Sequence, residues 1–167
     1  MRFLVPSLLL ACIMETALAA PVAQPADQYD FWLGDWNVTW AKPDGSVGKA
    51  RNHVARILDG NVIEERFEMD AAEAPQQLKG QSLSVRDPAG LWHQAWADNQ
   101  GGFFALTGSV DGDKRLFSTA LTPVGKEVKG QRMVFHDITS NAFTWDWEGT
   151  TDGGKTWKLL WRLDYKR

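Results

Sequence analysis

Residues 36–45 read Trp36-Asn37-Val38-Thr39-Trp40-Ala41-Lys42-Pro43-Asp44-Gly45. Large apolar side chains alternate with polar ones at a period of two, the pattern of a strand that turns one face to a core. Pro-Asp-Gly then supplies a tight turn. The same unit recurs down the chain. Extended segments are predicted at 47–58, 62–69, 81–86, 91–98, 103–110, 114–121, 130–138, 143–148 and 157–165. Between them stand turn sequences such as Asp59-Gly60-Asn61, Asp87-Pro88-Ala89-Gly90, Asn99-Gln100-Gly101-Gly102 and Asp111-Gly112-Asp113. Residues 71–77 read as a longer polar loop and 122–125 as a connection. No window of a dozen residues after Tyr29 carries a helical stripe. The fold class is therefore all-β: a single antiparallel meander of about ten strands. Such a meander hides its edges most simply by closing into a barrel; a two-sheet sandwich is the alternative.

The start of the chain has a different character. Met1-Arg2 precedes an apolar run over 3–14, and Ala17-Leu18-Ala19 precedes Ala20-Pro21. One positive charge, a short apolar core and a small-x-small site make residues 1–19 a cleavable signal peptide by pattern. The run is too short for a resident membrane span. The expectation is export to the periplasm or the outside. Leu9-Leu10-Ala11-Cys12 also resembles a bacterial lipoprotein box, so a lipid anchor on Cys12 is the alternative. Residues 20–28 show no periodicity and read as a linker, leaving one domain over 29–167.

Composition narrows the function. Removal of residues 1–19 leaves 148, enough to bury roughly 70% of the unfolded surface. The net charge is −3 with no basic stripe, which argues against nucleic acid as a partner. The single cysteine lies in the segment removed, so a chain cleaved after Ala19 has no disulfide and no thiolate metal site. All nine tryptophans remain, a heavy load for this length. Catalytic and phosphate-binding fingerprints are missing from the sequence, and three scattered histidines lack zinc-ligand spacing. No metal or cofactor is expected.

The most specific segment is Tyr29-Asp30-Phe31-Trp32-Leu33-Gly34-Asp35-Trp36. Gly34-x-Trp36 entering the first strand resembles the lipocalin and wider calycin signature. That resemblance implies a short helical turn before strand 1, Trp36 plugging one barrel end, and a basic residue, Arg162 or Arg167, packed over it. Trp92-x-Gln94-x-Trp96-x-Asp98, Asp152-Gly153-Gly154-Lys155-Thr156-Trp157 and the ending Tyr165-Lys166-Arg167 extend the likeness. With them, the domain resembles a family of secreted bacterial domains of unknown function that begin Phe-Trp-Leu-Gly-x-Trp. It implies a lipocalin-like barrel and supplies no activity. Nitrobindin, a ten-stranded haem barrel, is a more distant likeness; its axial histidine near the C-terminus has no counterpart here after His136. A haem would have to use His93 or His136. Residues 150–157 also spell an Asp-box, which implies that Asp152 accepts N–H groups within a turn.

Aromatic parity locates a candidate site. Trp36 and Trp40 share one face; so do Trp92, Gln94, Trp96 and Asp98; so do Phe143, Trp145 and Trp147; and so do Trp157, Trp161 and Tyr165. If these faces turn inward, eight indoles line one interior. An apolar cavity with a few convergent polar groups suits a small molecule; a solidly packed core is the alternative. The expected partner is a small, largely apolar or aromatic ligand, lined by Trp40, Trp92, Trp96, Trp145 and Trp161, with Gln94 and Arg132 fixing its orientation. Glu65 alternates with Ile63 and Phe67, so it faces inward and needs a cation or donors, with Arg56 or Arg132 as candidates. His136 shares parity with Arg132. An isomerase, cyclase or lyase using Glu65 and His136 is the second expectation, and a solid-core interaction module on the cell envelope the third.

Overall fold

The computed structural model describes residues 23–167 apart from residues 74 and 76; the expected signal segment and Cys12 lie outside the described residues. A 3-10 turn, Asp30–Trp32, leads into β1 (Gly34–Ala41), and a second, Ala71–Glu73, lies in the loop expected over 71–77. There follow β2 (Val47–Ile57), β3 (Val62–Met69), β4 (Lys79–Arg86), β5 (Trp92–Asp98), β6 (Phe103–Asp111) and β7 (Lys114–Ser118). The chain ends through β8 (Thr122–Val124), β9 (Glu127–His136), β10 (Ala142–Thr150) and β11 (Lys158–Lys166). Each strand pairs antiparallel with the next, except that β7 passes to β9. β11 returns to β1, with Val38 opposite Tyr165, and closes the ring. Ten strands make the barrel. β8 stands outside it as a short hairpin on the first residues of β9, so part of the connection predicted at 122–125 is strand.

Closure explains the composition. A ring has no open edge to cover, and each strand can spend alternate residues on the interior. One end of that interior is plugged. Tyr29, Trp32 and Trp36 are almost fully buried there. Tyr29 stacks on Phe117 with ring centroids 4.4 Å apart, and its hydroxyl donates to the Leu116 carbonyl at 2.7 Å. The Trp36 indole donates to the Trp32 carbonyl at 2.8 Å. Arg167 lies over the Trp36 ring, 4.4 Å from its centroid. The cation on the plug is thus Arg167 and not Arg162, which faces outward and grips Asp146 through two hydrogen bonds of 2.7 and 2.6 Å. Gly34 makes the packing possible: its φ is +123°, and a Cβ there would stand 3.3 Å from the Arg167 guanidinium.

Residues 24–28, expected as a linker, are built into this plugged end. Gln24 N–H donates to Gly90, Arg86 donates to the Gln24 carbonyl, and the Trp92 indole donates to the Pro25 carbonyl. At the opposite end, Asp152 accepts the Thr156 N–H at 3.0 Å and the Thr156 and Thr150 hydroxyls. The turn role predicted for Asp152 holds, and these donors keep its carboxyl well below the usual range.

Candidate functional site

The indoles meet at the end of the barrel away from the plug. Trp145 and Trp147, two apart on β10, stack with their planes 4° from parallel. Trp161 on β11 stands edge-on to Trp145 and to Trp40 on β1. Trp96 on β5 faces Phe67, and Phe104 on β6 faces Trp147. Between them lies a cavity of about 180 Å³, to which Glu65, Asp98 and Tyr165 add polar atoms. Sites for drug-sized ligands run to roughly 300–1,000 Å³, whereas a dry cavity of about 150 Å³ takes up benzene. The interior therefore has room for a single ring and not for haem.

Glycine sets the position of two of these indoles. Trp96 lies on Gly80 and Trp40 on Gly48, so close that a Cβ at either would fall 2.0 Å from the ring. The backbone of each neighbouring strand serves as a shelf. Gly80→Ala is expected to cost about 1–3 kcal/mol, as overpacked sites do, and to drive Trp96 into the cavity. A thermal melt together with the Trp fluorescence maximum reads both effects; an unshifted melt and spectrum would mean that the indole is not seated on the glycine.

Glu65 is the polar centre of the interior. It is 5% exposed, its two oxygens accepting from Asn52 Nδ2 at 2.9 Å and Ser82 Oγ at 2.8 Å. Asn52 also reaches the Tyr165 hydroxyl at 3.3 Å. Burial lifts the Glu65 carboxyl to about 7 despite the opposing hydrogen bonds. Burial, and then the nearby Glu65, raises Tyr165 well above its ordinary value. Asp98 behaves oppositely. Burial pushes it up, but the Trp96 indole and the Gly102 and Gln100 N–H groups donate to it and hold it below the usual range.

The other predicted site residues divide by position. Trp96, Trp145 and Trp161 line the cavity, and Trp40 packs against Trp161. Trp92 and Gln94 also point inward but lie deeper: Trp92 belongs to the plug against Tyr29, and Gln94 bonds Ser84 at 3.0 Å. Arg132 and His136 are on the outer face. Their strand turns Met133 and Phe135 to the core. Arg132 bonds Glu148 at 2.6 Å and covers Trp157, and His136 contacts Asp137 and Asp146. Arg132 thus cannot orient a ligand in the cavity, and His136 cannot share a proton path with Glu65. Arg56 likewise bonds Asp30 and the Gly60 carbonyl. Among the described residues that line the cavity, no basic side chain accompanies Glu65. Trp157, expected inside, lies outside as well.

Phe67, Phe104, Trp147, Asp98 and Tyr165 also line the cavity, and none of them is among the expected ligand contacts. Parity points to all but Phe104, whose neighbour Phe103 is equally apolar yet 69% exposed. A wider depression of about 780 Å³ crosses the outer face of β1 to β5. It is open to solvent, and several of its side chains are held in ion-pair contacts, among them Arg66–Glu64 and Lys79–Glu68. The smaller interior cavity is walled mainly by aromatic side chains.

No family model matches the chain, and no curated protein matches it in sequence. Among solved structures the chain is similar to Rv2717c from M. tuberculosis, with a TM-score of 0.52 and 14% identity. The alignment covers 87% of this chain and 99% of that one. The likeness is one of fold. It supports the closed barrel, and leaves the family suggested by Phe31–Trp36 without a matching model.

Proposed function

We propose that the protein is an exported barrel that holds one small, largely apolar ligand among its indoles. The observation that carries this reading is the aromatic cavity of about 180 Å³ with a buried, uncompensated carboxyl at Glu65. A barrel built only for rigidity gains nothing from leaving that carboxyl without a cation, since an apolar residue of similar volume is commonly as stable or more so. Among the described residues, His136, the expected partner of Glu65 in proton transfer, lies on the outer face, so binding is favoured over catalysis.

Titration with small ring compounds such as toluene, indole and benzyl alcohol tests the reading. A saturable 1:1 change in Trp fluorescence is expected, and Gly80→Val is expected to weaken binding at least tenfold by pushing Trp96 into the space. Native mass spectrometry of the purified protein supplies the second measurement. An empty barrel that responds to none of these compounds sinks the proposal.

A further inference from the structure

Within the cavity the charges are of one sign. Glu65 lies on the side toward the plug, and Asp98, the last residue of β5, lies on the side toward the open end. Among the described residues that line the space there is no lysine, arginine or histidine. The walls between the two acids are the indoles of Trp96, Trp145, Trp147 and Trp161. An indole face carries negative potential and is the strongest of the aromatic platforms for a cation.

The geometry points to a small organic cation, an ammonium or alkylammonium group on a compact apolar body, as the ligand class of this cavity. The inference rests on the ligand-barrel reading and deepens it. An anionic ligand would meet two carboxyls and no compensating base. A neutral ligand would use the apolar walls but leave Glu65 with only the neutral donors Asn52 and Ser82. A cation supplies the counter-ion that no lining side chain provides, and it does so beside a buried carboxyl, where the attraction is little screened. Asp98, held ionised by Trp96 and the turn N–H groups, gives the entrance the same preference.

Four probes of similar or smaller size separate the possibilities: benzylamine, benzyl alcohol, benzoate and tetramethylammonium, titrated by calorimetry and Trp fluorescence. Benzylamine is expected to bind at least tenfold more tightly than benzyl alcohol, with benzoate undetectable. Glu65→Gln, which keeps the shape, is expected to lower the benzylamine to benzyl alcohol ratio several-fold while leaving benzyl alcohol bound, the remainder coming from Asp98 and the indoles. The unsubstituted protein gives an independent readout. Tetramethylammonium keeps its charge at every pH, so its affinity is expected to rise by up to about tenfold from pH 6 to 8 as Glu65 ionises. Over that range Asp98 stays ionised and Tyr165 neutral. Equal affinity for amine and alcohol, or a preference undiminished in Glu65→Gln, overturns the cation assignment and leaves the ligand barrel standing. Silence toward every probe removes both.

Discussion

Trp36→Ala is expected to lower the unfolding free energy by about 3–5 kcal/mol, the usual cost of truncating a large buried aromatic. For a domain of this size that corresponds to a fall in melting temperature of about 10 °C. Several supports go together. Trp36 is 1% exposed; it packs edge-on to Phe143 and Tyr165, donates to the Trp32 carbonyl and carries Arg167 on its face. Its loss opens a cavity between the 3-10 turn and both strands at the seam, β1 and β11. Arg167→Ala, by contrast, removes a cation–π contact and a hydrogen bond to the Leu33 carbonyl near the surface, together worth about 1–2 kcal/mol. Calorimetric melts of the two variants side by side check the ranking. Equal small shifts would show that the plug does not depend on the indole.

Glu65→Gln is expected to change how stability depends on pH, by about 3 kcal/mol across the neutral range. The folded carboxyl titrates near 7, against 4.5 as its ordinary value. The native state therefore binds this proton more tightly than the unfolded chain does. Its contribution is fully present below pH 4.5, declines as pH rises toward 7, and is gone above that. The acids with lowered values, among them Asp98 and Asp146, act in the opposite sense at lower pH, so the raw curve mixes both. The difference between the two proteins isolates Glu65. Relative to the original, the glutamine variant should gain stability steadily from pH 4.5 to 7.5 and then level off. Urea denaturation at five pH values measures it, and a flat difference would mean that the carboxyl is not held neutral by burial.

Much of this structure follows from a period of two. Alternation in Trp36–Trp40, Trp92–Asp98 and Phe143–Trp147 placed those faces inward, and they are inward. Glu65 also fell on the correct side. Parity fails where one residue is inserted. Between β10 and β11, Trp147 pairs with Trp161 but Glu148 pairs with Leu159, leaving Leu160 as an extra residue. That bulge reverses every side chain beyond it, which is why Leu159 is exposed and Trp157 lies outside under Arg132. On β9 the apolar run Met133-Val134-Phe135 gives parity nothing to separate, since all three are buried. The parity that Arg132 and His136 share is the outward one, because Met133 and Phe135 face the core cluster. Hydrogen-bond partners are a different matter. Nothing local tells that Glu65 finds Asn52 and Ser82 rather than an arginine, because that pairing is fixed by the register of three strands.

The seam between β1 and β11 has a consequence for how the barrel is made. Val38 and Tyr165 are neighbours in the ring although nearly the whole domain separates them in sequence. Contacts of such separation are slow to form, because a long loop must close before they are rewarded. A chain emerging from its amino end can build β2 to β7 as successive hairpins while β1 waits with an unpaired edge and Trp36 and Trp40 uncovered. The last strand acts as the latch. Until it seats, the intermediate is a sticky open sheet, and a lesion in β11 should appear first as aggregation during refolding, well before it appears as a weaker native state.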